Sequence, residues 1–281
     1  MRRTLSVLLL LGALASCSTK DRYALRFAAP VTVARATAVQ AMALDGNTLY
    51  YGEFSTGDVY KVDVRAPKTP EKVGHVDVRD EGANGLMSLA VYGGRVFAAW
   101  VRDDRHLVVG PLDGPLLWIG PLVNMLRPDG HIAFTPRGQL YVSIGRRVYD
   151  LDDPVHTVSD GWNNAFAFTI DVRDRMFVAD QPPLHGKTFV ARGRENDHAK
   201  RRRFATGLAG TKASGVTIVD DELLVCRSNV GDVMRLHIGI DNVARRRGPV
   251  PGLKCRNAIV SSADGSVITA IAHEIRRYPP A

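Results

Sequence analysis

The chain has 281 residues, 45 % of them hydrophobic, which is enough to form a sizeable core in one large domain or in two small ones. Its 26 glycines and 15 prolines are spread along the chain, and it contains neither a low-complexity segment nor a long amphipathic helical stretch. These features exclude a disordered chain and a helical bundle. The formal net charge of +8 leaves an anionic partner open.

The first seventeen residues, "MRRTLSVLLLLGALASC", are typical of an export signal. Two arginines precede an apolar run, residues 5–15, that is too short to span a bilayer. The segment Leu14-Ala15-Ser16-Cys17 resembles the lipobox of bacterial lipoproteins, in which the cysteine receives diacylglycerol and the signal is removed just before it. We therefore expect a signal peptide at residues 1–16, a lipidated Cys17 and a tether at 17–21. A plain signal peptide with a chance cysteine is the alternative.

This resemblance implies a location for the protein. Ser18 follows the cysteine, and the absence of Asp at that position favours the outer membrane in a cell that has one. We expect an exported protein, held by its lipid at the periplasmic face of the outer membrane or at the outer cell surface. The basic runs at 199–204 and 244–248 are interpreted as solvated loops, and a patch for an anionic surface is the alternative. No aromatic residues alternate with their arginines, and export argues against contact with DNA. We expect no nucleic-acid partner.

The remainder of the chain repeats one pattern six times. Each repeat has a short apolar strand, a turn containing Gly or Asp, and a second strand rich in β-branched or aromatic residues. The repeats are "AMALDGNTLYYGEF" from Ala41, "SLAVYGGRVFAAW" from Ser88, "HIAFTPRGQLYVSIG" from His131, "AFAFTIDVRDRMFVAD" from Ala165, "GVTIVDDELLVCRS" from Gly215 and "AIVSSADGSVITAI" from Ala258. The spacing of about 44 residues is that of one four-stranded propeller blade.

These repeats predict an all-β fold, a six-bladed β-propeller that occupies residues 22–281 and is monomeric. The sixth repeat stops after "EIRRYPPA" and lacks an outer strand, whereas "RYALRFAAP" at 22–30 precedes the first repeat and has no partner. We predict that this N-terminal segment completes the last blade. Closing the ring in this way would leave only short, protected sheet edges.

Two cysteines remain after Cys17. Cys226 lies late in the second strand of the fifth repeat, and Cys255 lies just before the first strand of the sixth. In a propeller these two positions share one face of neighbouring blades, and an exported chain meets an oxidising compartment. We predict a Cys226–Cys255 disulfide; two unpaired thiols, one of them buried, are the alternative.

Several segments resemble one family. "HIAFTPRGQLYVSIG" is similar to "GRLAFGPDGKLYVSIGD" of the bacterial glucose/sorbosone dehydrogenases that use pyrroloquinoline quinone (PQQ). The segments at 161–183, 214–236 and 85–100 resemble other segments of this family, in the family's order. The resemblance implies a six-bladed propeller with the quinone and calcium on one face.

The family's catalytic positions are substituted in this chain. The family's base is a histidine in "H-x-G-G-R-L", and the aligned residue is Arg127, which cannot accept a proton at neutral pH. His131, four residues further on, is then the candidate catalytic base. PQQ and calcium are expected only insofar as the resemblance implies them.

The positions that hold the cofactors in the family also differ. The quinone-binding Arg of "R-N-P" aligns with Asn163, which is followed by Asn164, and the quinone-binding Lys of "S-L-K-G-G" aligns with Asn229. The acidic calcium segment retains Asp180, the candidate metal ligand, but loses its downstream acids.

Polar side chains should nevertheless converge at the channel mouth, where Arg146, Arg227 and Arg256 recur at comparable blade positions. The candidate ligand-binding residues are Arg102, Arg127, Arg146, Asn163, Asn164, Arg227, Asn229 and Arg256.

Three hypotheses for the function follow. The first is a lipid-anchored propeller that binds a small polar ligand, sugar-like or anionic, with catalysis reduced or lost. The second is an active PQQ-dependent dehydrogenase of sugars or alcohols. The third is a non-enzymatic scaffold for an envelope protein.

Overall fold

The computed structural model describes residues 25–78, 85–103, 106–121, 130–153, 157–180, 188–194, 197–208, 212–239 and 244–281. Cys17 and Arg127 lie outside these residues. The regular structure of the described residues is entirely β, and no helical segment among them has the length and hydrophobicity required to span a lipid bilayer.

The strands are, in chain order, β1 (Val31–Arg35), β2 (Val39–Asp45), β3 (Thr48–Glu53), β4 (Asp58–Asp63), β5 (Glu71–His75), β6 (Leu86–Tyr92), β7 (Arg95–Asp103), β8 (His106–Pro111), β9 (Trp118–Pro121), β10 (Ile132–Phe134), β11 (Leu140–Ile144), β12 (Arg147–Asp150), β13 (Thr157–Ser159), β14 (Ala165–Ile170), β15 (Met176–Asp180), β16 (Thr188–Arg194), β17 (Asp197–Leu208), β18 (Ala213–Val219), β19 (Glu222–Arg227), β20 (Asp232–Ile238), β21 (Ala244–Lys254), β22 (Ile259–Ser261), β23 (Val267–Ile271) and β24 (Glu274–Tyr278).

The described strands form six antiparallel sheets of four strands each, so the prediction of six repeats is confirmed. The first to fifth sheets are β2–β5, β6–β9, β10–β13, β14–β17 and β18–β21, and the sixth consists of β22, β23, β24 and β1. The segment 131–145 forms the hairpin of β10 and β11, as predicted. In its turn, Gly138 N donates to Thr135 O at 2.9 Å, and Gly138 has a φ of +85°, a conformation that favours glycine.

The six sheets pack around a common axis. The innermost strand of each sheet contacts the innermost strands of its two neighbours, and β22 of the sixth sheet contacts β2 of the first. Among the described residues, six apolar clusters fill the interfaces between neighbouring sheets. The cluster between the last and first sheets includes Tyr51 and Ile268, both buried. The ring is therefore closed by hydrophobic packing as well as by strand pairing.

The N-terminal segment completes the last blade, but the predicted residues were wrong. The outermost strand of the sixth sheet is β1, residues 31–35, which pairs antiparallel with β24 from Val31 opposite Arg277 to Arg35 opposite Glu274. Within the predicted segment 22–30, Phe27 makes an isolated bridge to Pro280. The closing strand lies later in the chain than predicted. Only three residues, 36–38, connect it to β2, so it ends immediately before them.

The predicted disulfide between Cys226 and Cys255 is present, with the two Cα atoms 5.5 Å apart. Cys226 lies in β19 of the fifth sheet, and Cys255 lies between β21 and β22, where the chain enters the sixth sheet. Both residues are buried in the apolar cluster between these two sheets. The bond therefore joins two neighbouring blades.

Candidate functional site

One end of the ring contains a cavity on the axis. Because neighbouring strands run in opposite directions, the first strand of each sheet begins, and the second ends, at this same end. The axial cavity, as we call it, has a volume of about 200 Å³. Its lining residues are Gln40, Met87, Gly130, His131, Phe166, Ser214, Ser228, Arg256 and Asn257.

Four of the six blades contribute a residue to this lining through the same backbone feature. In four sheets the pairing of the first and second strands skips one residue, a β-bulge, at the start of the first strand. A bulge leaves its extra residue outside the ladder and redirects its side chain. The skipped residues, all of which line the cavity, are Gln40, Met87, Phe166 and Ser214.

The third and sixth sheets place equivalent residues at the cavity. Ser143 N donates to His131 O in the third sheet, and Ala270 N donates to Ala258 O in the sixth, both at 2.9 Å. The preceding residues, Gly130 and Asn257, occupy the position that the bulge occupies elsewhere. We call the six equivalent residues the axial ring: Gln40, Met87, Gly130, Phe166, Ser214 and Asn257.

The third blade differs from the others because its ring residue is a glycine. A Cβ atom at Gly130 would lie 2.4 Å from Leu107 Cδ1, in the closely packed core between the second and third sheets. The residue that follows the ring residue has a large side chain only in the third blade, where this residue is His131. The corresponding residues of the other five blades are small: Ala41, Ser88, Ala167, Gly215 and Ala258.

His131 brings a neutral imidazole to the cavity. Burial lowers the pKa of His131 to about 4, so the ring is uncharged at neutral pH. Its Nδ1 atom is buried and has no hydrogen-bond partner among the described residues, and its ring lies edge-on to Phe168 at a centroid distance of 5.4 Å. A neutral imidazole can accept a hydrogen bond from a ligand hydroxyl group.

The asparagine at one cofactor-binding position, Asn163, holds a carboxylate together with its neighbour Asn164. Asp180 Oδ1 accepts hydrogen bonds from the backbone N–H of Asn163 at 2.8 Å and of Asn164 at 2.9 Å. Asp180 Oδ2 accepts a third hydrogen bond, from Asn163 Nδ2 at 3.0 Å. These contacts tie the entry of β14 to the end of β15. The carboxylate of Asp180 is thus engaged by N–H donors, and its role as a calcium ligand stays a prediction.

Two of the three recurring arginines are directed to local partners. Arg227 makes a two-point ion pair with Asp232, in which its Nε lies 2.6 Å from Oδ1. Arg146 Nε donates to the carbonyl oxygen of Trp162 at 3.0 Å. Neither arginine belongs to the lining of the axial cavity, whereas the third, Arg256, does.

The remaining candidate residues lie away from the lining. Asn229 Oδ1 accepts a hydrogen bond from Lys212 N at 2.9 Å, which stabilises the loop before β18. Arg102 is exposed near the end of β7. Of the candidate catalytic, ligand-binding and metal-binding residues, only His131 and Arg256 line the cavity in the described part of the chain.

Sequence reasoning missed most of the axial ring, including Gln40, Met87 and Phe166. The only signal was positional, because five of the six ring residues immediately precede the start of a repeat. Residue identity could not reveal the ring, since its members are two amides, a hydroxyl, a thioether, an aromatic ring and a glycine.

The described lining does not fit PQQ with calcium. PQQ carries three carboxylate groups, and the lining offers one guanidinium, that of Arg256. Calcium prefers several carboxylate or carbonyl oxygens, and the lining contains no Asp or Glu. Within the described ranges, no group of three or more His, Cys, Asp or Glu side chains is arranged to hold a metal ion.

The fold and the site define a class of protein: a six-bladed β-propeller with a small cavity on its axis, lined by both polar and apolar residues. The sequence matches no protein-family model, and a comparison with curated proteins finds no match.

Solved structures of the same fold are similar to this chain. The PQQ-bound form of aldose sugar dehydrogenase from Streptomyces coelicolor has a TM-score of 0.69 at 15 % identity, over 89 % of this chain and 96 % of that one. The apo form of the soluble aldose sugar dehydrogenase from Escherichia coli has a TM-score of 0.68 at 11 % identity, over 90 % and 99 %. A gluconolactonase from Xanthomonas campestris has a TM-score of 0.63 at 15 % identity, over 92 % of each chain. The predicted resemblance to sugar dehydrogenases is thereby confirmed at the level of the fold.

Proposed function

We propose that this protein binds a small, neutral, sugar-like ligand in the axial cavity, with dehydrogenase chemistry reduced or lost. The observation that carries the proposal is the composition of the axial ring. Gln40, Ser214 and Asn257 supply amide and hydroxyl groups, and no carboxylate belongs to the described lining. Such uncharged donors and acceptors match the hydroxyl groups of a sugar.

The size and the apolar part of the lining support the same ligand class. Phe166 and Met87 present apolar surface that can pack against the C–H groups of a sugar ring. The volume of about 200 Å³ is below the roughly 300 Å³ at which sites for drug-sized ligands begin. The ligand is therefore no larger than a monosaccharide.

The absence of the family's machinery at its aligned positions supports reduced catalysis. Asn163 and Asn164 hold Asp180, and Asn229 stabilises a loop, so each has a structural task. The neutral imidazole of His131 is the feature that favours the alternative, an active dehydrogenase, because an uncharged histidine can accept a proton.

Isothermal titration calorimetry measures ligand binding: glucose, galactose or xylose is titrated into the full-length protein in detergent. We expect saturable binding of at least one sugar. Gln40→Ala and Asn257→Ala should each weaken it about fivefold, the equivalent of one neutral hydrogen bond. Asn47→Ala is the matched control, because Asn47 is exposed in the β2–β3 turn at the opposite end of the ring. This substitution should leave the affinity for sugar unchanged.

Two outcomes would contradict the proposal. If none of the sugars binds, or if Asn257→Ala and Asn47→Ala have the same affinity for sugar, the axial cavity is not a sugar site. The hypothesis of a non-enzymatic scaffold is then favoured. If added PQQ and calcium give protein-dependent dye reduction with these sugars, catalysis is retained and the dehydrogenase alternative is correct. We expect no dye reduction above a sample without protein.

The proposal includes a lipid anchor at Cys17, which rests on the lipobox-like sequence. After expression in a bacterium with a lipoprotein pathway, the wild-type protein should partition into the detergent phase of a cloud-point separation. Cys17→Ala should remain in the aqueous phase, because acyl chains contribute about 0.8 kcal/mol per buried methylene. Mass spectrometry of the N-terminal peptide measures the modification directly, and an unmodified Cys17 would contradict the anchor.

A further inference from the structure

A second and larger cavity lies at the same end of the ring, outside the axis. It has a volume of about 660 Å³ and lies between the β19–β20 turn of the fifth sheet and the β23–β24 turn of the last. We call it the rim pocket. Its charged lining residues are Arg35, Lys254, Arg256, Glu274 and Arg276, together with His273.

Positive charge exceeds negative charge in the rim pocket. Its one described carboxylate, Glu274, is ion-paired with Arg276 and accepts a hydrogen bond from Thr32 Oγ1 at 3.3 Å. The Arg276 hydrogen bond holds the pKa of the Glu274 carboxyl below its ordinary value, so this pair is neutral overall. Arg35, Lys254 and Arg256 then remain, and none of these three side chains has an acceptor at hydrogen-bond distance within the part of the chain that the structure describes.

The backbone holds these three cations in place. Arg35 is the last residue of β1 and lies opposite Glu274 in the sheet. Lys254 and Arg256 flank Cys255, whose disulfide to Cys226 anchors the segment to the fifth sheet. Lys254 O accepts a hydrogen bond from Thr269 Oγ1 at 2.7 Å, and Arg256 N donates to Ala270 O at 3.1 Å. A site held in this way loses less freedom when an anion binds.

From these observations we infer that the rim pocket is a binding site for a phosphate monoester group. Arg35 at the end of β1, and Lys254 and Arg256 on either side of Cys255, are three exposed cations that face one pocket, which suits a tetrahedral dianion with several acceptor oxygens. A single carboxylate would be satisfied by one bidentate arginine and would leave the other two cations unpaired. The two cavities share Arg256, but Arg35 and Lys254 line only the rim pocket, so substitutions of these two residues test the inference separately from the axial cavity.

The test titrates the full-length protein in detergent with inorganic phosphate and with glycerol phosphate, by isothermal calorimetry. We expect saturable binding that weakens as sodium chloride is added. Lys254→Gln and Arg35→Gln should each lower the affinity about tenfold, the usual effect of losing one charge-assisted hydrogen bond. Lys68→Gln removes the same charge from an exposed loop between β4 and β5, at the opposite end of the ring, and should change nothing.

The lipid phosphatidic acid also carries a phosphate monoester, and a second arm separates the two sources. Cys17→Ala protein is mixed with phosphatidylcholine vesicles that do or do not contain phosphatidic acid and is sedimented. Binding only to the vesicles with phosphatidic acid, lost in Lys254→Gln, together with no binding of soluble phosphates, would assign the pocket to a lipid headgroup. The inference is overturned if neither arm shows saturable binding, or if Lys254→Gln and Lys68→Gln have the same affinity. Sugar affinity should be unchanged in Lys254→Gln, so the two proposals fail separately.

Discussion

A chain that begins at Ala36 should fail to form a stable ring, whereas a chain that begins at Leu25 should melt cooperatively. The shorter chain lacks β1, which makes four residue pairs with β24 and completes the last blade. Loss of these hydrogen bonds and of two buried side chains should cost about 5 kcal/mol or more, comparable with the whole stability of many domains. Circular dichroism during heating measures the transition. Equal melting of the two chains would show that β1 does not close the ring.

Two substitutions within β1 test the same closure without shortening the chain. Val33 is 3 % exposed and packs with Val62 of the first sheet and Ile275 of the last, whereas Val31 is 46 % exposed. Val33→Asp places an unpaired charge in this apolar interface and should cost about 4 kcal/mol, or a melting shift of roughly 10 °C. Val31→Asp should change stability by no more than about 0.5 kcal/mol. Similar effects of the two substitutions would contradict the observed packing of the strand.

The double variant Cys226→Ala, Cys255→Ala should unfold at a temperature roughly 5–10 °C below the wild type. The disulfide spans a sequence separation of 29, and a loop of this size stabilises the folded state by about 3 kcal/mol through restriction of the unfolded chain. Both cysteines are fully buried, so alanine keeps the site apolar and leaves no unpaired thiol. Scanning calorimetry with and without reductant provides the measurement.

A reductant supplies the control for this second prediction. Unfolding in the presence of reductant should lower the melting temperature of the wild type towards that of the double variant, and it should leave the double variant unchanged. If the oxidised wild type and the double variant melt together, the bond contributes nothing to the stability of the ring.

The blades could be predicted from the sequence because each repeat carries its own strand and turn signals. Alternation and Gly-containing turns mark hairpins such as that of residues 131–145. The closing strand was placed several residues too early, because "RYALRFAAP" alternates as a strand does. The connections into β14, β18 and β22 span only four or five residues, and applying that spacing to β2 would have indicated a strand that ends at residue 33 or 34, within two residues of the observed end of β1.

The cavity was less predictable because it depends on bulges and local pairing. A bulge at Gln40 or Phe166 places one extra residue outside the ladder, and no particular residue type marks this position in the sequence. Similarly, Arg146, Arg227 and Arg256 occupy comparable positions in the sequence. Only the structure reveals that Arg227 is neutralised by Asp232 and that Arg146 is directed to a carbonyl oxygen.

The axial ring separates the residues that line the cavity from the residues that hold the strands together. In four blades the ring residue is excluded from the strand ladder, so replacing Gln40 or Ser214 alters the lining without removing a ladder hydrogen bond. Gly130 is different, because the neighbouring core leaves no room for a larger residue there. The four bulged positions can therefore diversify one at a time, and a propeller of this kind can change the lining of its cavity through single substitutions while its scaffold stays constant.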